Sequence, residues 1–388
     1  MKEYDYVFVS PTPTIVAYPS GGMNTFYRLS DYLTSKGSKV AIINLMTRYA
    51  VPKRFIRSKK EAEDMRHYPM LPGFASSLYM RAVQFLFSNL SILKFYQKII
   101  GNDYDYSILK DVDMLFYDEE QVAEIKTKRI FATAWQSAYF VEDYMKKNPK
   151  TKGFYIIQEF EDSKAFSGDY SVYAKKTYGF KNLKKIVICK GLRDRFRKDR
   201  PSSLRLAIDL DLFKVKVNLN ERDPFTVMMP LRGLATKGSR YALETVELLR
   251  AKSTKYKFLA YGNFKKKSVP SHIEYHYKPS NSELSRLYNR ASIFICPSII
   301  GAFTMPLLEA MAAGCATVTS DCIGINEYAK NNINSIIVPI KDSKAMAGAV
   351  ELLAENPDLK KRIALNGIKT AKSFSYDALY KSFMSAIR

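Results

Sequence analysis

Two stretches of this 388-residue chain gather residue types able to hold an anion. The first runs Cys296-Pro-Ser-Ile-Ile-Gly-Ala-Phe-Thr-Met-Pro-Leu-Leu-Glu-Ala-Met-Ala-Ala-Gly314. A strand-like Ile293 to Cys296 precedes it. The pattern then predicts a helix from about Met305, with Thr304 as N-cap, Pro306 in the first turn and Gly314 closing it. A helix N-terminus at the carboxyl end of a parallel strand presents N–H groups and a positive dipole to an anion. Glu309, just over one turn further in, is unsuited to phosphate, but its carboxylate can accept from ribose hydroxyls, as acidic residues do in other nucleotide folds. The same pattern also fits an amphipathic packing helix with one exposed glutamate. The second stretch is Arg232-Gly-Leu-Ala-Thr-Lys237-Gly238, set between a strand-like Phe225 to Leu231 and a helical Ser239 to Arg250. Alone, an Arg and a Lys five apart mean little in a basic protein; after a strand and before a helix they form a second cationic loop.

The elements that must position these loops read as two βα series. Tyr4 to Ser10 is a buried strand, followed by a proline-rich loop, Gly21-Gly22, a helix from about Met23 to Ser35 stopped by Gly37, and a strand at Val40 to Leu45. This is one βαβ unit and opens a parallel sheet. Ile130 to Thr133, Phe154 to Gln158 and Ile186 to Cys189 continue it. The second series has strands at Phe225 to Leu231, Tyr256 to Tyr261, Ile293 to Cys296, Ala316 to Ser320 and Ser335 to Val338. The class is therefore α/β, with two doubly wound domains and a cleft between them. The boundary is expected within 200–224, giving domains over 1–200 and 201–370 and a terminal helix over 371–388. An irregular insertion, 51–102, is basic at first (Lys53, Arg54, Arg57, Lys59, Lys60) and then aromatic and apolar. It fits amphipathic helices on a membrane interface or helices packed on the sheet.

Sixty-one Lys and Arg against 38 Asp and Glu give a net charge of +23. That excess suits nucleic acid, anionic lipid headgroups or phosphorylated substrates, and equally a solubilising surface. No window carries about 18 uninterrupted apolar residues, so no membrane span is expected. Met1-Lys2-Glu3-Tyr4-Asp5 leads straight into a strand rather than a secretory signal. Four cysteines (Cys189, Cys296, Cys315, Cys322) lack metal spacing and are expected as free buried thiols in a reducing cytoplasm. With three histidines and none near a cysteine pair, no metal site is expected.

The first stretch resembles the retaining glycosyltransferases of family 4 (glycosyl transferases group 1), which have the GT-B fold. Pro297, Ser298, Phe303, Pro306, Leu308, Glu309, Ala310, Met311, Ala312, Gly314 and Val318 match the family pattern, and Glu327 fits its following G-x-x-E element. The second stretch resembles the family's R-x-x-x-x-K-G, whose cations clamp the donor diphosphate; fixed cations stabilise a departing nucleoside diphosphate without a metal. Gly21-Gly22 matches the amino-terminal glycine loop. Thr133 to Ala138 and Tyr155 to Glu161 look like the rhamnosyltransferase-like subset, Ala207 to Phe213 resembles G-[VI]-D-x-x-x-F, and Phe374-Ser375-Tyr376 the terminal F-S-W before a helix that returns to the first domain. The resemblance implies two Rossmann-like domains facing across a cleft. It implies transfer of a sugar from a nucleotide donor to a glycan or lipid-linked acceptor, with retention and no cofactor or metal. The basic surface and the apolar insertion together suggest an acceptor on a lipid carrier, which would place the protein on the cytoplasmic side, at the inner membrane face.

The donor contacts so implied are Gly21, Gly22, Arg232, Lys237, Gly262, Tyr277, Gly301, Ala302, Phe303, Thr304, Met305 and Glu309. Arg232, Lys237 and Glu159 are the catalytic candidates, and Trp135, Glu159 and Glu161 the acceptor contacts; a buried structural carboxylate is the other reading of either glutamate. Two positions depart from the family: Gly301 stands where the first glutamate of the E-x7-E pair belongs, with Ala302 and Thr304 replacing glycines beside it, and no counterpart of the amino-terminal histidine is found. Three other readings remain: a metal-dependent transferase using Asp103 and Asp105, Asp111 and Asp113, or Asp209 and Asp211; a nucleotide-sugar-binding pseudoenzyme; and a nucleic-acid binder, which no motif supports.

Overall fold

The computed structural model describes residues 2–10, 21–45, 109–117, 125–264 and 266–388. The loop after the first strand, the insertion at 51–102, and Asp103 and Asp105 lie outside the described residues. The chain divides into two compact units, Met1–Ile188 with Phe196–Ser203, and Cys189–Arg195 with Leu204–Arg388.

In the first unit the strands are β1 (Glu3–Ser10), β2 (Val40–Leu45), β3 (Asp113–Tyr117), β4 (Lys126–Ala132), β5 (Lys152–Ile157), β6 (Leu183–Val187) and β7 (Ser202–Ser203). Helices α1 (Gly21–Ser35) and α2 (Trp135–Lys147) follow β1 and β4, and the short α3 (Lys164–Ser167) and α4 (Ser171–Thr177) follow β5. The sheet order is β3-β2-β1-β4-β5-β6-β7, with parallel pairing between neighbours. Strands covered on both faces need near-continuous apolar runs, and β2 is buried at every residue. Phe8, Phe131 and Phe154 stand in register on β1, β4 and β5, with ring centroids 4.8 Å apart at each step. Gly21-Gly22 is not a loop as expected: α1 begins at Gly21, so both glycines lie in its first turn.

The second unit repeats the design. Its strands are β8 (Thr226–Leu231), β9 (Lys257–Gly262), β10 (Ile273–Tyr277), β11 (Ile293–Cys296), β12 (Ala316–Ser320) and β13 (Ile336–Val338), parallel in the order β10-β9-β8-β11-β12-β13. A short α5 (Lys190–Arg195) belongs here, as do α6 (Ser239–Lys252), α7 (Asn281–Arg290), α8 (Met305–Ala312), α9 (Ser343–Glu355), α10 (Pro357–Ala371) and α11 (Tyr376–Ala386). Alternate strand residues feed two cores. Val227, Met229, Leu231, Ile293 and Ile295 pack with α6, α9 and α10, whereas Met228, Phe294 and Cys296 pack with α7 and α8. All four cysteines are buried and unbridged. The helix expected to return to the first domain, α11, clusters with the second unit; Ser382 on it accepts from the Arg205 backbone N–H at 3.0 Å. Glu327 holds α5, accepting from the Lys190 backbone N–H and standing 3.8 Å from Arg193.

Both sheets reverse strand order at one place, between β1 and β4 and between β8 and β11. In the second sheet the two strands part early. β11 pairs with β8 only at Val227 and Met228. Thr226 accepts from Ser292, beside β11, and Leu231 accepts from Asn263, beside β9, so the even residues of β8 face β11. The next even residue is Pro230, which has no N–H to donate. The ladder therefore ends at Met228, and the carboxyl ends of β8 and β11 are free to diverge.

The loops leaving these ends are locked together again. Thr236 accepts from the backbone N–H groups of Ile299 and Ile300 at 2.8 and 3.2 Å. Gly238 has φ of +69°, and a Cβ there would lie 1.8 Å from the Pro297 carbonyl oxygen. Replacing Gly238 by Ala is expected to cost about 2 kcal/mol or more, through left-handed strain and displacement of the 297–300 backbone. Urea unfolding would measure it, and a stability equal to that of the parent chain would contradict this lock.

Candidate functional site

The second unit collects most of the expected groups around the divergence of β8 and β11. Arg232 leaves β8 half-buried, its backbone N–H donating to Ser239 Oγ at 2.7 Å while its carbonyl accepts from the same hydroxyl at 2.8 Å. Burial works against its charge, but the neighbouring Tyr261 and Glu309 outweigh that and its pKa is raised. Lys237 ends a short 3-10 turn, Ala235–Lys237, which the bonds from Ile299 and Ile300 to Thr236 anchor. A Cβ on Gly301 would lie 3.7 Å from Lys237 Nζ and 4.0 Å from Thr304 Oγ1. Lys237, Gly301 and Thr304 therefore share one wall.

Thr304 occupies the N-cap of α8, but its hydroxyl makes no capping bond, a correction to the expected role. Its carbonyl accepts from the Tyr328 hydroxyl at 2.7 Å, so Thr304 is held by its backbone. The segment around it is tightly backed. Ala302 is buried, Phe303 packs on Tyr328 and Phe374, and a Cβ on Gly324 would meet the Ala302 backbone at 2.4 Å. Met305 opens α8 half-buried. Gly314 closes this region with φ of +84°, and Cys315 donates back to Ala310 at 2.9 Å.

Glu309 is also half-buried, and not the exposed glutamate of the packing-helix alternative. Burial pushes its carboxyl pKa up, opposed by a hydrogen bond from Tyr288 and by Arg232. Gly262 and Tyr277 stand in register at the ends of β9 and β10. Gly262 is required for packing, because a Cβ there would lie 1.7 Å from the Leu231 oxygen, whereas Tyr277 is 53% exposed. Sequence reasoning missed Tyr261, Tyr288 and Ser239. Ser239 follows Lys237-Gly238 directly and could have been suspected; the tyrosines carry no local signal.

In the first unit, the Gln158 carboxamide fills the space beside Gly22, where a Cβ would lie 2.6 Å from its oxygen. Gln158 also donates to the Thr133 carbonyl at 3.1 Å. Glu159 is half-buried and accepts from the Phe160 backbone N–H at 3.2 Å. Trp135 and Glu161, expected to meet an acceptor, are instead internal at 3% and 4% exposure. Glu161 accepts from the Trp135 backbone N–H at 3.2 Å, at the start of α2, and from the Tyr155 hydroxyl. Of the three acceptor candidates only Glu159 reaches solvent.

Of the two aspartate pairs within the described residues, one member of each is engaged elsewhere. Asp113 begins β3, bonded to Tyr4 and Lys2, and Asp209 closes its own turn by accepting from the Asp211 and Leu212 N–H groups. Among the described residues no three His, Cys, Asp or Glu side chains are placed to share a metal ion, and no helix is long and apolar enough to cross a membrane.

HepE of Anabaena, solved in complex with UDP-glucose, superposes with a TM-score of 0.68 over 98% of both chains at 9% identity. The fold is GT-B. Residues 211–370 of this GT-B chain match the family described as glycosyl transferases group 1. An N,N'-diacetylbacillosaminyl-diphospho-undecaprenol alpha-1,3-N-acetylgalactosaminyltransferase of Campylobacter jejuni is 26% identical over 45% of this chain and 46% of its own. The amylovoran biosynthesis glycosyltransferase AmsK of Erwinia amylovora is 26% identical over 39% of this chain and 41% of its own. The chain thus matches less than half the length of these curated relatives.

Burial pushes the Glu161 carboxyl from 4.5 to about 8, against the opposing bonds from Tyr155 and Trp135. The folded state therefore keeps a proton that the unfolded chain releases at lower pH. The associated stability is fully present below about 4.5 and is lost as pH rises through about 8. Glu161→Gln is expected to flatten this decline in urea unfolding followed from about pH 5 to 9; an unchanged slope would count against a buried, neutral Glu161.

Proposed function

We propose that this chain is a glycosyltransferase that takes a sugar from a nucleoside-diphosphate donor. One observation carries the reading: Arg232, Lys237, the α8 entrance and Glu309 surround the divergence of β8 and β11, where open α/β sheets bind ligands. Arg232 and Lys237 hold the diphosphate, with the α8 entrance adding its dipole, and Glu309 accepts from the ribose. As the sugar–phosphate bond breaks, charge gathers on the leaving diphosphate, and pre-set cations stabilise that charge more than the ground state. The leaving phosphate oxygen takes the acceptor proton, so transfer proceeds with retention, without an enzyme nucleophile, metal or cofactor. Glu159 is the remaining candidate to orient the acceptor hydroxyl.

The relatives' names support a glycan or lipid-linked acceptor, one being a diphospho-undecaprenol transferase and another an amylovoran biosynthesis enzyme. The net charge of +23 suits an acceptor carried at an anionic membrane surface on the cytoplasmic side. Retention of the protein in the soluble fraction during flotation with anionic liposomes would sink the membrane part.

Gly301 favours a second reading. It stands where the resembled pattern has a glutamate, in a position with room for a side chain, which fits a subunit that binds nucleotide sugars without turning them over. Release of nucleoside diphosphate from a panel of donors, with and without candidate acceptors, separates the two readings. If the chain is an enzyme, Lys237→Ala is expected to lower kcat roughly a hundredfold or more. Near-normal kcat would contradict the diphosphate clamp. Turnover is also expected to survive EDTA; its loss would restore the metal-dependent alternative.

A further inference from the structure

Two tyrosines lie beneath the nucleotide-side groups. Tyr261, near the carboxyl end of β9, is 5% exposed, and Tyr288 on α7 is fully buried. Their hydroxyl oxygens are 3.0 Å apart, and the Tyr288 oxygen is 3.0 Å from Glu309 Oε2. A buried phenol costs stability unless it is hydrogen-bonded, so packing alone would favour phenylalanine at both positions.

Each phenol has one proton, and an ionised carboxylate only accepts. The Pro306 carbonyl is a second acceptor near Tyr288, at 3.3 Å, but Glu309 is nearer and charged. Tyr288 therefore donates to Glu309 and must accept from Tyr261. The direction of the chain is set. Tyr261 and Glu309, at the two ends of the chain, both raise the pKa of the neighbouring Arg232.

We infer that Tyr288, backed by Tyr261, is a positioning residue for ribose recognition: it occupies Glu309 Oε2 and leaves Oε1 to accept from a ribose hydroxyl. This rests on the nucleoside-diphosphate reading above. Without the Tyr288 bond the carboxylate can rotate about its last torsion, and a ribose hydroxyl must then order it on binding. The tyrosines thereby tie the orientation of the ribose acceptor to Arg232 at the phosphate end. Packing has little to lose in Phe variants, since the rings meet edge to face at 6.2 Å.

Calorimetric titration with UDP, ADP, GDP and CDP identifies the diphosphate that the wild type binds; its 2′-deoxy and 3′-deoxy forms are then compared. The wild type is expected to prefer the ribose form over at least one deoxy form by about tenfold or more. Tyr288→Phe is expected to lose about tenfold on the ribose form and little on that deoxy form, so the preference collapses. Tyr261→Phe, which keeps the Tyr288–Glu309 bond, reduces the preference part of the way and provides the test should Tyr288→Phe not fold. In a Glu309→Gln background neither tyrosine variant has a further effect. Equal weakening of ribose and deoxy forms, or an unaltered preference, would overturn the inference. If the wild type binds none of the four diphosphates, the nucleoside-diphosphate reading itself falls.

Discussion

The carboxyl ends of β8 and β11 must part for anything to bind between them, and Pro230 is where the chain enforces this. A proline in a central strand ordinarily damages a sheet, because it removes a ladder bond. Here the missing N–H faces β11 at the first step beyond Met228, and the ladder stops there. On the β9 side, β8 remains paired to its last residue, Leu231 opposite Gly262. One strand is thus fully tied to one neighbour and released from the other. Arg232 follows at once, and Lys237 five residues later.

Release alone would give two loose loops, but backbone contact holds them in place. Gly238 against Pro297, Gly262 against Leu231 and Gly324 against Ala302 are approaches no side chain could share. Gly301 differs from these three. It has no positive φ and its missing Cβ would meet nothing closer than 3.7 Å, so a side chain would fit there. The fold demands the first three glycines and leaves the fourth unconstrained by packing. Charge is arranged with the same economy: burial disfavours ionisation of Arg232 and Glu309 alike, and each is the other's opposite charge.

The fold was largely legible in the sequence because strands buried on both faces must be continuously apolar. β2, β11 and β12 were read to the residue. The strands that went unread, β3, β7 and β10, all lie at sheet edges, where one side of the ladder is open and alternation or brevity hides them. In the site, the loop carrying Arg232 and Lys237 and the helix carrying Glu309 were visible because a strand, a turn and a helix start are local patterns. Tyr261 and Tyr288 were not, because their meaning depends on a hydroxyl contact across 27 residues of chain. Trp135 and Glu161 show the converse error. Their motif stood out, but the Glu161 carboxylate faces inward, to the α2 start at Trp135 and to Tyr155.

The grip of Glu327 on Lys190 and Arg193 keeps Cys189–Arg195 with the second unit, although both flanking segments belong to the first. The polypeptide therefore passes between units after Ile188, Arg195 and Ser203 rather than once. A recombination event with a single breakpoint would strand part of one unit on the other's fragment. The two units are thus braided in the gene as well as in the protein, and exchanging one of them requires three matched junctions instead of one.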